Sequence, residues 1–126
     1  VGDSRAYLLS RRNDTISQIT RDHSLVGDLL EYGIITPEQV KTHPQRNVIT
    51  RAVGTDSQVE ADYFNFELGI GDVLLLCSDG LSNTLTDEEM LEAAKACREP
   101  EDLCRMLMDM ALGRGARDNV TVVAVK

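Results

Sequence analysis

The hydrophobic pattern of the chain predicts β-structure at both ends and in the middle. An uninterrupted apolar run at Val73–Cys77 is typical of a strand buried on both faces, and a second run at 120–125 predicts a closing strand. Near the start, residues 6–9 and 15–19 predict two short strands joined by a polar turn. The residue types of 61–68 alternate in the manner of a strand with two different faces, which predicts a further, half-buried strand.

Apolar residues at helical spacing predict helices between these strands. Residues 25–32 predict a helix that ends at Gly33, and Thr36–Gln39 is a capping box that opens a short one. A second capping box opens a helix over 86–97, and a stripe that includes methionines predicts a core-packed helix over 100–112. This order predicts an α/β domain of the α+β type, with largely antiparallel sheets instead of repeated βαβ units.

Composition is that of an ordinary globular protein and excludes several binding functions. The 126 residues amount to about one domain, with 42% hydrophobic and 27% charged residues. The net charge of -8 argues against nucleic-acid binding, which needs clustered Lys and Arg, and against docking on an anionic membrane surface. We therefore expect neither nucleic acid nor a membrane among the partners.

The cysteines and the first residues bear on the cellular compartment and on the extent of the domain. Cys77, Cys97 and Cys104 are an odd number without a CxxC pair, which argues against a disulfide framework and a zinc site. Reduced thiols in a cytoplasmic protein are the expected state. The chain begins without Met and leads directly into an apolar strand, which needs a partner from upstream. We therefore expect a fragment whose N-terminal portion is absent.

Three aspartates stand at the ends of predicted strands. Asp79 comes just after the run at Val73–Cys77 and before Gly80, Asp118 precedes the closing strand, and Asp3 lies at the start of the first strand. Carboxylates in such places are costly unless they are solvated, paired or bound to a cation, and Mg²⁺ and Mn²⁺ favour oxygen ligands. Each aspartate alone is more simply explained as part of a turn or a helix cap. From the residues alone, metal binding and a purely structural role are evenly balanced.

Five motifs together decide between these interpretations. In chain order they are Gly2–Tyr7, Thr20–Ser24, His43–Asn47, Leu76–Leu81 and Asp118–Thr121. In sequence, order and spacing they resemble successive motifs of bacterial PPM (type 2C) metal-dependent serine/threonine protein phosphatases. The resemblance covers the C-terminal half of that catalytic domain. It implies part of an α-β-β-α sandwich, with a small flap insertion at about residues 24–54.

The resemblance also implies roles for single residues. Asp79 and Asp118 match ligands of one metal in a binuclear centre, and Asp3 together with Asp79 matches a third, looser metal site. Arg46 is expected at the edge of the cleft, although a solvated flap arginine is the simpler interpretation. Asn47 stands where some relatives carry a flap serine near the third metal. The implied cofactors are two Mn²⁺ or Mg²⁺ ions, with a third at the looser site.

The implied activity is hydrolysis of phosphoserine and phosphothreonine in proteins by a metal-activated water. The expected substrates are signalling proteins that a serine/threonine kinase has phosphorylated. Further expected partners are the missing N-terminal half or a self-associated copy. Because the carboxylate that bridges the two metals should lie upstream, this chain alone is expected to be weakly active or inactive.

The sequence has features of two other functions. A catalytically incomplete regulatory or protein-binding module with the same fold is the stronger alternative. The start Gly2–Ser4 also resembles that of some lipases and esterases, but that chemistry needs a histidine near the C-terminus to activate Ser4. No histidine follows His43, and both His23 and His43 are expected to make structural hydrogen bonds.

Overall fold

The four strands of the chain form one antiparallel sheet. They are β1 (Arg5–Ser10), β2 (Thr15–Gln18), β3 (Val73–Cys77) and β4 (Val122–Val125). Their order across the sheet is β2-β1-β3-β4, and each neighbouring pair is antiparallel. The predicted strands at the two ends and in the middle, and the antiparallel α/β fold class, are therefore confirmed.

The structure is a computed structural model and describes residues 1–126. The chain divides into two compact units, one made of residues 1–3 and 21–63 and the other of residues 4–20 and 64–126. The second unit contains the whole sheet and three helices. These helices are α3 (Asp79–Ser82), α4 (Asp87–Ala96) and α5 (Pro100–Gly113).

One face of the sheet forms one side of the hydrophobic core of the second unit. Tyr7, Leu75 and Ala124 lie side by side across three strands on this face, and Leu9 lies beside Val73. Tyr7 and Leu75 are fully buried because α4 and α5 cover them with apolar side chains. The residues that the helices contribute include Met90, Ala93, Ala94, Leu103, Leu107 and Ala111.

The opposite face of the sheet is apolar and has no cover within the second unit. On this face Leu74 lies beside Val125, and Leu76 lies beside Val123. Leu76, Val123 and Val125 are 41%, 50% and 46% exposed. Apolar side chains that are adjacent on a sheet and open to water indicate a surface that another layer covers.

The first unit contains two short helices and the loop that follows them. They are α1 (Leu25–Glu31), capped by the Ser24 side chain, and α2 (Pro37–Thr42), which begins with the predicted capping box. After α2 the chain returns beside the start of α1, where the amide of Leu25 donates to the carbonyl of Val48. An isolated antiparallel bridge joins Ser24 to Ile49.

One strand predicted from the sequence is absent from the fold. Residues 61–68 form no strand, and their side chains are exposed. A strand requires a neighbouring backbone for its hydrogen bonds, and no segment of this chain pairs with these residues. No element was predicted for residues Asp79–Ser82, which form a one-turn helix.

All three cysteines are free thiols, with Cys77 and Cys97 buried and Cys104 half-buried. This agrees with the prediction of unpaired thiols. The longest helix, α5, has 14 residues, and no helix combines the length and apolarity that crossing a membrane requires.

The start of α4 provides a direct test of the capping box. The Thr86 hydroxyl accepts a hydrogen bond from the Glu89 amide, and the Glu89 carboxylate accepts one from the Thr86 amide at 2.9 Å. Replacing Thr86 by Ala is expected to lower the free energy of unfolding by about 1 kcal/mol, because it leaves an N-terminal amide without a partner. Denaturant unfolding measures this loss. Thr86→Ser is the matched control and should stay close to wild type; equal stability of the Ala and Ser variants would contradict the capping role.

Candidate metal centre

The loop before β4 is held against the end of β3 by hydrogen bonds to Ser78. The Ser78 amide donates to the carbonyl of Thr121 at 3.1 Å, and its hydroxyl accepts from the Thr121 amide at 2.9 Å. The same hydroxyl donates to the carbonyl of Asn119 at 3.2 Å. One serine therefore fixes the backbone next to both aspartates, because it precedes Asp79 directly and its hydroxyl donates to the residue that follows Asp118.

Gly80 allows an even closer approach between the same two segments. A Cβ atom at this position would lie 2.3 Å from the carbonyl oxygen of Asn119. No real side chain tolerates such a distance, so the contact requires glycine here. Asp79 thus lies between Ser78 and Gly80, which both touch the segment that begins at Asp118. The fold brings the two aspartates together at the level of the backbone.

The two carboxylates differ in their surroundings. Asp79 is half-buried in the first turn of α3, and its carboxylate accepts no hydrogen bond from the chain. Asp118 is exposed, and its Oδ1 accepts from the Asn119 amide at 2.7 Å. A half-buried carboxylate without a donor is costly unless a cation or water compensates it. Both residues therefore retain free oxygen atoms for an external ligand.

The donor set fits part of a site for a hard divalent cation. Carboxylate oxygens are the ligands of Mg²⁺ and Mn²⁺, and Mg²⁺ commonly binds through one or two carboxylates with water at its other positions. No three His, Cys, Asp or Glu side chains of this chain lie close enough to hold a metal ion. Asp79 and Asp118 therefore do not form a complete site, and their sharing of one ion stays a prediction.

The other predicted site residues belong to the first unit. Asp3 is half-buried near its start. Arg46 and Asn47 lie in an exposed turn after α2, where Arg46 Nη1 donates to the carbonyl of His43 at 3.3 Å. The roles of all three residues at a metal or a substrate stay predictions.

A buried histidine cluster in the first unit was not predicted from the sequence. His23 is 3% exposed, and its Nε2 lies 2.7 Å from Oδ2 of Asp62. The other oxygen of Asp62 accepts from Arg51 Nη1 at 2.8 Å. The carbonyl of His23 also accepts from the amide of Thr50 at 2.8 Å. His23 is structural, as expected, but no local pattern marked Asp62, which lies far along the chain, as its partner.

The pKa of Asp62 is lowered to about 2 by the hydrogen bond with His23 and then by that from Arg51. A lowered folded-state pKa means that the contribution of Asp62 to stability is fully present above its usual value of 3.8. That contribution is lost as the pH falls towards 2.

We expect Asp62→Asn to be less stable than wild type at neutral pH, with a difference that stays constant down to about pH 4.5 and then shrinks. Unfolding curves measured between pH 7 and pH 2 check this. Asp56→Asn, at an exposed position without a partner, should show no such pH-dependent difference. A stability gap for Asp62→Asn that persists unchanged at the lowest pH would show that the carboxylate charge is not what matters.

The sequence of the chain matches a protein family and named phosphatases. The SpoIIE family model, described as stage II sporulation protein E, matches residues 30–126. The chain is 43% identical over 126 residues to the serine/threonine phosphatase stp of Listeria innocua. This match covers all of the chain and 49% of the stp protein. The chain is also 46% identical over 123 residues to the serine/threonine protein phosphatase PstP of Mycobacterium tuberculosis. That match covers 98% of the chain and 23% of PstP.

Solved structures agree with the sequence matches. The chain superposes with a TM-score of 0.88 and 36% identity on the PPM Ser-Thr phosphatase MsPP of Mycobacterium smegmatis in complex with cacodylate, over 100% of the chain and 53% of that structure. A PstP catalytic domain in complex with two manganese ions gives a TM-score of 0.72 at 38% identity, over 98% of the chain and 50% of that structure. The chain thus spans about half of each solved domain, or of the stp protein.

Proposed function

The chain belongs to the SpoIIE and PPM family of serine/threonine protein phosphatases, and we propose that it supplies one part of a divalent-metal site. In the whole protein this site hydrolyses phosphoserine and phosphothreonine by means of a metal-activated water. The proposed metal is Mn²⁺ or Mg²⁺, and the two residues of this chain that hold it are Asp79 and Asp118.

The observation that carries the proposal is the backbone contact between the two aspartate segments. Ser78 and Gly80 both touch Asn119, and the Asp79 carboxylate between them has no donor within the chain. A fold that holds the half-buried Asp79 carboxylate, without a donor, close to the segment that carries the Asp118 carboxylate gains nothing in stability from that arrangement. A cation bound between them removes the cost, and the manganese-containing PstP domain provides a related example.

The residues of this chain contribute mainly by positioning. Ser78 fixes the loop before β4, Gly80 permits the close approach, and Asp79 lies in the first turn of α3. A bound divalent metal would lower the pKa of a water ligand and neutralise charge on the phosphoryl oxygens. Asp79 and Asp118 would keep that metal in place, and their two negative charges would balance it.

The remaining ligands are proposed to lie in the part of the relatives' length that this chain does not cover. They include the carboxylate that bridges two metals. The same part would cover the apolar sheet face formed by Leu74, Leu76, Val123 and Val125. It would also provide a partner for residues 61–68, which have the alternation of a strand but no neighbour here. A second copy of this chain that covers the face is the alternative partner.

The first unit is proposed to contain the flap, at about residues 24–54. Asp3 would be a ligand of a third, looser metal. Arg46 and Asn47 are exposed and adjacent, which suits groups that meet the substrate at the edge of a cleft. The proposed substrates are cytoplasmic signalling proteins phosphorylated by a serine/threonine kinase.

A second candidate function is a regulatory or protein-binding module without turnover. It is favoured by a specific observation, the lack of three metal-binding side chains near one another in this chain. The two functions make different predictions for a protein of the relatives' full length. The enzyme hydrolyses a phosphothreonine peptide in the presence of Mn²⁺, whereas the module does not.

We expect the 126-residue chain alone to be a poor phosphatase and the longer protein to be a good one. Catalysis with two metals needs a ligand that holds both ions about 3.5–4 Å apart, and Asp79 and Asp118 are proposed to hold only one of them. The measurement is turnover of a phosphothreonine peptide with Mn²⁺, with both proteins at equal concentration. Equal turnover would show that the essential ligands all lie within this chain, and no turnover by the longer protein would favour the binding module.

A further inference from the structure

A shallow groove of about 390 Å³ runs between α4 and α5 in the second unit, apart from the candidate metal centre. Its floor is apolar and consists of Ala93, Ala96, Met106 and Met110. A second depression of about 320 Å³ shares both methionines and extends the groove along α5. The two depressions form one continuous surface, which we call the α4–α5 groove.

The floor of the α4–α5 groove suits apolar side chains of a partner. Met106 is 37% exposed, and Met110 is half-buried beside it. Methionine is flexible and polarizable, so it adapts to differently shaped apolar groups. Met106 and Met110 are also one helical turn apart, a spacing that matches apolar residues at i and i+4 on a second helix.

The rim of the groove is negatively charged and only partly neutralised. Glu88 on one side and Asp102 and Asp109 on the other make no ion pair or hydrogen bond within the chain. The other acidic rim residues have cationic partners, since Glu89 binds Arg114 and Glu92 binds Lys95. The cation that lines the groove, Arg105, is paired with Glu101. Unpaired carboxylates on both sides of an apolar floor favour a partner with positive flanks.

We propose that the α4–α5 groove binds an amphipathic helix of a partner protein, with apolar residues on one face and Lys or Arg on both flanks. Charge complementarity selects this occupant. A second copy of the chain would bring a further net charge of -8, and an anionic membrane would meet the same acidic rim. The apolar residues of the partner cover Met106 and Met110, and its basic flanks pair with Glu88, Asp102 and Asp109.

The test uses a designed peptide of about 18 residues made of Leu on one face and Lys on the flanks, labelled for fluorescence anisotropy. We expect saturable binding that weakens with added salt. A peptide of the same length with Glu in place of Lys should not bind. Glu88→Lys combined with Asp109→Lys is expected to weaken the affinity by about tenfold or more, because two attractive charges become repulsive.

Two controls separate the groove from general charge attraction. Asp56→Lys combined with Glu67→Lys changes the net charge equally at exposed positions outside the groove, and it should alter the affinity by less than about twofold. Met106→Gln combined with Met110→Gln makes the floor of the groove polar without changing the net charge, and it should weaken binding. Leu112 is exposed and lies outside the groove, so Leu112→Gln should not weaken binding. Equal weakening by the two charge variants, no effect of the methionine changes, or no binding of the Lys peptide would each overturn the proposal.

Discussion

Replacing Gly80 by Ala is expected to lower phosphatase activity of the longer protein by about 100-fold or more. The added Cβ would lie 2.3 Å from the carbonyl oxygen of Asn119, which is backbone and cannot rotate away. The segment that begins at Asp118 must therefore move away from Asp79. A displacement of about 1 Å at a catalytic site commonly costs about two orders of magnitude in rate. Steady-state hydrolysis of a phosphothreonine peptide measures the effect.

The same change should also lower the free energy of unfolding by about 1–3 kcal/mol, as expected for overpacking. Gly113→Ala is the matched control, because a Cβ at Gly113 meets no atom within 4 Å and its backbone does not need glycine. That variant should keep full activity and be as stable as wild type or slightly more so. Normal activity of Gly80→Ala, assayed well below its melting temperature, would mean that the close approach to Asn119 is not needed for turnover.

Asp79→Asn and Asp118→Asn are each expected to reduce turnover by about a thousandfold or more at moderate Mn²⁺. Asparagine keeps the shape of the side chain but removes the charge that holds a divalent cation. Even changes to residues that only support a metal ligand commonly cost about 10–100-fold in affinity or activity, so the loss of a ligand should exceed that. Activity as a function of Mn²⁺ concentration measures the effect, and the metal requirement should shift to higher concentration.

The control for these two variants is Glu67→Gln, which removes a charge at an exposed position without a partner. It should retain wild-type activity at every Mn²⁺ concentration. Unfolding measured without metal provides a second readout, since a folding defect would lower stability whether or not metal is present. If either aspartate variant turned over at the wild-type rate with the wild-type metal requirement, that residue would not be a metal ligand.

The core of the second unit could be predicted from the sequence because its signals are local. The run Val73–Cys77 is apolar throughout and became the central strand β3. The capping boxes at Thr36 and Thr86 each satisfy their own helix start, so neighbouring residues alone specify them. The positions of Asp79 just after β3 and of Asp118 in the loop before β4 followed from the same local signals.

The features that the sequence analysis missed depend on distant residues. The alternating residue types of 61–68 indicate a strand with two different faces, but they do not show which strand it would pair with. This chain supplies no partner strand for these residues. The hydrogen bond of His23 with Asp62 spans 39 positions and has no periodic signal. The bridging role of Ser78 likewise depends on Asn119 and Thr121, which only the pairing of β3 with β4 brings near.

The most direct test of the central claim is to locate manganese by anomalous scattering in crystals of the longer protein grown with Mn²⁺. The proposed function requires a manganese peak at about 2.0–2.2 Å from carboxylate oxygens of both Asp79 and Asp118. Such a peak would establish that these two residues share one ion. Manganese bound elsewhere in an active protein, with neither aspartate in contact with any ion, would contradict it.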